Sequence, residues 1–306
     1  MKNIVAFYNK MSNFGKILVL ITIFLIVIVL FKSLCPTKEG MISTTEKISY
    51  KEGESVYDDF YTNIYDYLVY NNIKNDYEIG KIVNSTNPNE ASIIVDIGCG
   101  TGHQVSSLSA KNLQVMGIDI SPSMIQKAKE NYPSGNYKIG DALNSSLLSP
   151  MSATHILCLY FTLYYFKDKR QFFDNCMDWL MPGGYLVVHM VDREHFNPML
   201  PSGNPLYVVS PQKYAKERIT KTKVVFNDFV YSANFDLNKD TDVALFDEKF
   251  KFNDGNVRKQ QQKMYMEDTS VIVASAQDCG FILQGKIDLV KCAYEHQYLY
   301  VFVKPS

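Results

Sequence analysis

Between Ser92 and Asp192, short apolar runs alternate with segments of helical spacing, and nothing else in the sequence constrains the fold as tightly. The runs are "SIIVDIG", "LQVMGIDI", "YKIGDA", "THILCLYF" and "MPGGYLVVHMVD". Among the segments between them, "SPSMIQKAKENY" offers Ser121 as a helix cap with Pro122 at the first helical position, and "DKRQFFDNCMDWLM" reads as a later helix. Strands separated by helices in this order specify a parallel sheet covered on both faces. Upstream, Tyr57, Phe60, Tyr61, Ile64, Tyr65 and Leu68 recur at three- and four-residue steps, the spacing of an amphipathic helix. Downstream of Arg193 the rhythm changes. "VVFNDFVYSANFDL", "VALFDEKFKF" and "VRKQQQKMYM" read as an antiparallel meander, the last pair turning at Asn253-Asp254-Gly255. A helix near Thr269 to Asp278 follows, and "FILQGKIDLV" and "YEHQYLYVFVK" are expected to close the main sheet.

The first apolar run ends in "VDIGCGTG", with Gly98, Gly100 and Gly102 at every second position. A bare backbone after a strand lets a ligand approach the main chain closely. Dinucleotide folds use G-x-G-x-x-G, and phosphate loops need a lysine after the last glycine. This chain has G-x-G-x-G and no such lysine. Asp96 would repel a phosphate and suits a ligand that carries an ammonium and a sulfonium. Asp119 ends the second run, where a carboxylate can accept both hydroxyls of a ribose. Asp141 follows the third, placed for an adenine amine, with the Ala142 N–H beside it and Ile120 and Met124 against the ring.

These residues resemble the class I S-adenosylmethionine-dependent methyltransferases, chiefly those acting on small molecules. The resemblance rests on "VDIGCGTG", "GIDISPSMIQKAK", "GDA", "ILCLYFTLYYF" and "LMPGGYLVV", and runs from about Tyr57 to Val191. It implies an α/β fold with a Rossmann-like sheet, helices on both faces, and an inserted antiparallel β lid at about 193–266. It also implies S-adenosylmethionine as cofactor. Asp96, Gly98, Cys99, Gly100 and Gly102 would surround the methionyl part, Asp119 the ribose, Asp141 and Ala142 the adenine, and the Leu159 carbonyl the amino end. Tyr57 or Tyr61 would close the site. The implied reaction moves the sulfonium methyl to N or O of a small-molecule or lipid-like acceptor. Thr154 stands where this family often has Asp, and Tyr165 near where it often has His. That leaves His189, Asp192 and His195, at or after the end of the fifth run, as candidate catalytic groups. The alternatives are a non-catalytic scaffold that binds S-adenosylmethionine and, with less support, an NAD-dependent oxidoreductase.

Composition narrows partners. Lys+Arg 31 against Asp+Glu 32 leaves a net charge of −1, without the basic excess of a nucleic-acid binder. Six cysteines show neither a CxxC pair nor metal-ligand spacing. One segment is not globular: "ILVLITIFLIVIVLF", Ile17 to Phe31, is apolar apart from Thr22 and lies between Lys16 and Lys32. As a helix it reaches about 22 Å at about 1.5 Å per residue, and flanking lysines can snorkel to reach the surfaces of a roughly 30 Å hydrocarbon core. The expectation is a single-pass membrane helix at about 14–34 within an N-terminal segment 1–37, a linker at 38–54, and the methyltransferase domain at 55–306. The catalytic body is expected on the cytosolic side, with Cys35 open to palmitoylation.

Overall fold

The computed structural model describes residues 12–34, 47–203 and 211–306. The chain divides into two compact units, Met1–Thr45 and Glu46–Ser306. In the first unit, helix α1 covers Asn13–Leu34. Among the described residues no helix is long and apolar enough to cross a membrane, so the expected anchor gains no support from the structure. The side chains at 28–34 lie outside the described set, and the described part of the run falls short of the roughly 20 apolar residues a span needs. Cys35 and residues 35–46 of the expected linker also lie outside it.

The second unit opens with a difference from expectation. Strand β1, Ile48–Glu52, falls inside the expected linker. Its side chains show no buried alternation; partnership with a distant strand, not local pattern, makes it a strand. Helices α2 (Asp59–Val69) and α3 (Asn72–Thr86) follow, capped by Asp58 and Asn71. Then come β2 (Ile93–Ile97), α4 (His103–Ser109), β3 (Gln114–Asp119), α5 (Pro122–Asn131), β4 (Asn136–Ile139) and β5 (Ala153–Cys158). The short α6 (Thr162–Tyr165), α7 (Lys169–Trp179) and β6 (Leu180–Val191) complete the alternating part. The Ser121 hydroxyl caps α5 by accepting from Met124 N, with Pro122 at the first position, as the sequence predicts. Strands β7 (Lys221–Val225), β8 (Phe229–Asn238), β9 (Val243–Phe252) and β10 (Val257–Tyr265) form the meander. Helix α8 (Thr269–Asp278) and strands β11 (Ile282–Leu289) and β12 (Tyr294–Val303) end the chain.

The main sheet has the order β11-β12-β6-β5-β2-β3-β4. Strands β2 to β6 run parallel, whereas β12 is antiparallel to both β6 and β11. From β2 the chain moves outward through β3 and β4, then returns to β2's other side at β5. Such a reversal leaves a crevice beyond the carboxyl ends of β2 and β5, where open α/β sheets hold ligands. The meander forms a second sheet, β1-β10-β9-β8-β7, with β1 parallel to β10.

Trp179, Phe172, Phe173, Leu186 and Val188 are fully buried on one side of the main sheet, and Ile79, Ile82, Leu108 and Ile125 on the other. Each such side chain contributes roughly 1.5–3 kcal/mol of burial free energy. The inner face of the lid sheet adds Tyr231, Phe235 and Phe250 to the first of these layers. Thr154 has a structural role at the far end of β5. Its hydroxyl accepts from Ile93 N at 2.8 Å and donates to Ile93 O at 3.0 Å, tying β5 to the start of β2.

Candidate active site

The loop after β2 is held from beneath: Gly98 N and Cys99 N both donate to Ile118 O, at 2.7 and 3.0 Å. Its glycines serve different ends. Gly98 has φ 72°, and a Cβ there would lie 2.4 Å from the Thr162 side chain, so close packing demands it. Gly100 has φ 51°, and a Cβ would find only Tyr65, at 3.9 Å; its bare backbone faces open space. The Asp119 carboxylate accepts from Gly100 N at 3.0 Å and Ser121 N at 2.9 Å, fixing the loop and the start of α5 together. Burial raises the Asp119 pKa, and these backbone N–H groups oppose the shift.

Asp96 is the anomaly of the site. It is 1% exposed, and its Oδ2 has no hydrogen-bond partner among the described residues. Burial first, then repulsion from Asp119 and Glu78, pushes its pKa up to about 8. An isolated buried carboxyl is costly unless something pairs with it. It lines a cavity with Gly98, Gly100, Leu159, Tyr65, Tyr160, Lys74 and Glu78. Lys74 and Glu78, one turn apart on α3, form a buried ion pair of 2.6 Å. The Lys74 ammonium also lies 5.2 Å from the Tyr160 ring centre. At the rim, Asp66 accepts from the Thr101 hydroxyl at 2.6 Å and pairs with His103 Nε2 at 3.0 Å.

A second cavity adjoins the first. It is lined by Tyr57, Tyr61, Tyr165, Phe161, Phe196, Leu200, Phe235, Phe246, Gln262 and Met264. Tyr65, Val69 and Tyr160 line both cavities, so the two share a wall. None of the residues lining this second space carries a formal charge. Tyr57 OH donates to Gln262 Oε1 at 3.0 Å, and Tyr165 OH donates to the same oxygen. Burial raises the Tyr165 phenol pKa to about 12, so it is no base at neutral pH.

The structure brings Asp96, Gly98, Cys99, Gly100 and Leu159 together around the first cavity; Gly102 caps the following helix, α4. Cys99 is a buried thiol whose pKa burial pushes well up, and a Cβ on the neighbouring Gly117 would lie 2.8 Å from its sulfur; it packs. Asp141, Ala142, Ile120 and Met124 line neither cavity. Asp141 Oδ1 accepts from Leu143 N at 2.8 Å, the Ala142 carbonyl accepts from Asn175, Met124 is buried, and Ile120 is 38% exposed. Tyr57 and Tyr61 face the second cavity rather than the first; Tyr65, one turn further along α2, closes the glycine loop instead.

The three candidate catalytic groups lie outside both cavities. His189 is fully buried, with Nδ1 against the Tyr160 carbonyl and Nε2 3.0 Å from Gln297 Oε1. Burial pulls its pKa down to about 3, so it stays neutral and occupied. Asp192 pairs with the exposed His195 at 2.8 Å. Sequence reading placed Tyr65 on the same helix face as Tyr57 and Tyr61 but singled out none of Lys74, Glu78, Tyr160 and the lid residues Phe235, Phe246, Gln262 and Met264. The i,i+4 spacing of Lys74 and Glu78 was visible; that the pair would be buried was not.

A cradle at Gly100 and a buried carboxyl at Asp96 whose Oδ2 has no partner fit the aminoacyl and sulfonium end of S-adenosylmethionine, whereas Asp119 lines neither cavity and both its oxygens accept from backbone N–H groups. The comparisons agree. Residues 95–188 match the family described as "Methyltransferase domain". That segment is a methyltransferase domain. Over 147 residues the chain is 31% identical to dTDP-4-amino-2,3,4,6-tetradeoxy-D-glucose N,N-dimethyltransferase of Saccharopolyspora spinosa, covering 46% of this chain and 58% of that protein. It is 28% identical over 103 residues to trans-aconitate 2-methyltransferase of Methylobacterium radiotolerans, covering 33% of this chain and 38% of that one. The chain thus spans less than two thirds of either relative. Among solved structures, an S-adenosylmethionine-dependent methyltransferase from Clostridium acetobutylicum matches 81% of this chain and 99% of its own at 16% identity, with a TM-score of 0.61. CalS10, an amino pentose methyltransferase of Micromonospora echinaspora solved with S-adenosylmethionine bound, matches 74% and 90% at 16% identity, with a TM-score of 0.53. At such identities these two establish the Rossmann-like class I methyltransferase fold.

Proposed function

We propose that this chain transfers the methyl group of S-adenosylmethionine to an amine on a small ring-shaped acceptor, of the amino sugar kind. One observation carries the reading: the cavity holding the unpartnered Asp96 shares the Tyr65–Val69–Tyr160 wall with an aromatic cavity lined by no charged residue. When bound, the cofactor supplies a methyl already activated by its sulfonium. The chain's part is to hold the amino end through Asp96, exclude water with the lid sheet, and align a neutral nucleophile. An uncharged wall suits an amino sugar better than a polycarboxylate such as trans-aconitate, which would need cations. The test incubates the full chain with methyl-labelled cofactor and, separately, the dTDP-4-amino sugar and trans-aconitate. Label on the amine supports the reading; label on trans-aconitate alone refutes it.

Placement at a bilayer, with the catalytic body on the cytosolic side, is a further part of the proposal. The apolar sequence between Lys16 and Lys32 supports it.

A further inference from the structure

Glu248 on β9 is 2% exposed and does not line the second cavity. Four donors converge on it: Tyr61 OH at 3.1 Å, Tyr231 OH at 2.7 Å, Gln260 Nε2 at 2.7 Å and Gln262 Nε2 at 2.8 Å. That many donors around two oxygens is the surrounding of a carboxylate, which can only accept. The Gln262 amide is therefore locked. Its NH2 must face Glu248, so its Oε1 faces the other way, where it accepts from Tyr57 OH and Tyr165 OH. A phenol has one proton to donate. With both protons directed at Gln262, the two oxygens, which also lie within hydrogen-bond reach of each other, turn lone pairs toward a ligand.

We propose that Glu248 is a positioning residue that, by fixing the Gln262 amide, makes Tyr57 and Tyr165 hydrogen-bond acceptors for the N–H groups of the nucleophile. This rests on the amine-acceptor reading above. A nucleophile aligned for methyl transfer must turn its lone pair toward the methyl, so its N–H bonds point away and need acceptors. Two phenol oxygens match the two N–H groups of a primary amine. A hydroxyl could use one of them, and a ketone or ether neither. Phe161, Phe196, Phe246 and Met264 add apolar surface to the wall and the Tyr61 OH is committed to Glu248, so these oxygens, with the Tyr65 and Tyr160 phenols of the shared wall, set the polarity of the cavity.

Two readouts on the full chain test the relay. In the ligand-free protein, the side-chain amide of Gln262, assigned in a 15N spectrum by its loss in Gln262→Met, should exchange slowly. Glu248→Gln, which can offer either a donor or an acceptor, should speed that exchange at least ten-fold. In the second, cyclohexanol and cyclohexanone, a neutral pair differing in one donor, are titrated by NMR. Wild type should prefer the alcohol, and Glu248→Gln and Tyr165→Phe should each reduce the preference roughly three- to ten-fold, one hydrogen bond's worth. Tyr165→Phe leaves the buried carboxylate intact and so serves if Glu248→Gln misfolds. Unchanged Gln262 exchange in Glu248→Gln, or an unchanged preference in Tyr165→Phe, overturns the relay. Failure to methylate any amine would instead remove the amine reading, while both readouts still decide the relay.

Discussion

Replacing Asp96 with Asn isolates the oddest group in the molecule. With its pKa near 8, the carboxyl is protonated in all but about one molecule in a hundred at pH 6. A cationic ligand selects the carboxylate, so binding must expel that proton. Between pH 5.5 and 7, below the cofactor's α-amino pKa of about 8, affinity should rise about ten-fold per pH unit, or about 1.4 kcal/mol. Calorimetry of S-adenosylmethionine binding in two buffers of different ionisation enthalpy should count about one proton released. In Asp96→Asn that release should fall toward zero, and affinity at pH 7 should drop about thirty-fold, the worth of a charge-assisted hydrogen bond at about 2 kcal/mol. Stability gives an independent check. The folded pKa is raised above the unfolded value of about 4, so the native state holds the extra proton between the two. The ligand-free protein should therefore lose stability as pH rises from about 4 to about 8, at up to about 1.4 kcal/mol per unit. Asp96→Asn should flatten this slope. Equal proton release in variant and wild type, or an unchanged stability slope, would refute the assignment of the unpartnered carboxyl.

Gly98→Ala places a methyl 2.4 Å from Thr162 at φ 72°; chemical denaturation should show a loss of about 1–3 kcal/mol, and full stability would mean the loop yields. Helix α2 is fastened over α5 by Ser123 Oγ to Asp59 at 2.7 Å and by Lys127 to Asn63 at 3.0 Å. The double variant Asp59→Ala/Asn63→Ala should release labelled cofactor about ten-fold faster in a chase, and an unchanged rate would mean this cover does not gate exit. His195 is exposed and lines neither cavity, so His195→Ala should keep kcat within about two-fold; a large loss would reinstate it as a catalytic group. The full chain should float with lipid vesicles while a chain beginning at Glu46 stays behind, and a C-terminal tag should be digested on vesicles whose cytosolic face is outward. Equal flotation of both, or a protected tag, would remove the anchor or reverse its orientation.

The alternating core and the glycine loop were legible in the sequence because each depends on neighbours along the chain. Strand period, the Ser121–Pro122 cap and the G-x-G-x-G turn are local, and helices between successive strands imply a parallel sheet. Asp96, Gly98 and Gly100 meet at one cavity because they follow one another at the carboxyl end of β2, whereas Asp119 and Asp141 stand at strand ends too and line neither cavity. What tertiary structure alone decided was everything that depends on distant segments meeting. His189 looked available in "VVHMVD" but is enclosed between Tyr160 and Gln297, a fact set by β12 pairing with β6. Residues 48–52 carry no strand pattern of their own and became β1 because β10, some 200 residues on, offered an edge. Nothing in "DEKF" or "QQQ" announces a buried carboxylate gripping an amide. Glu248 and Gln262 acquire that role because the lid sheet closes on α2, and desolvation then makes each hydrogen bond a condition of burial.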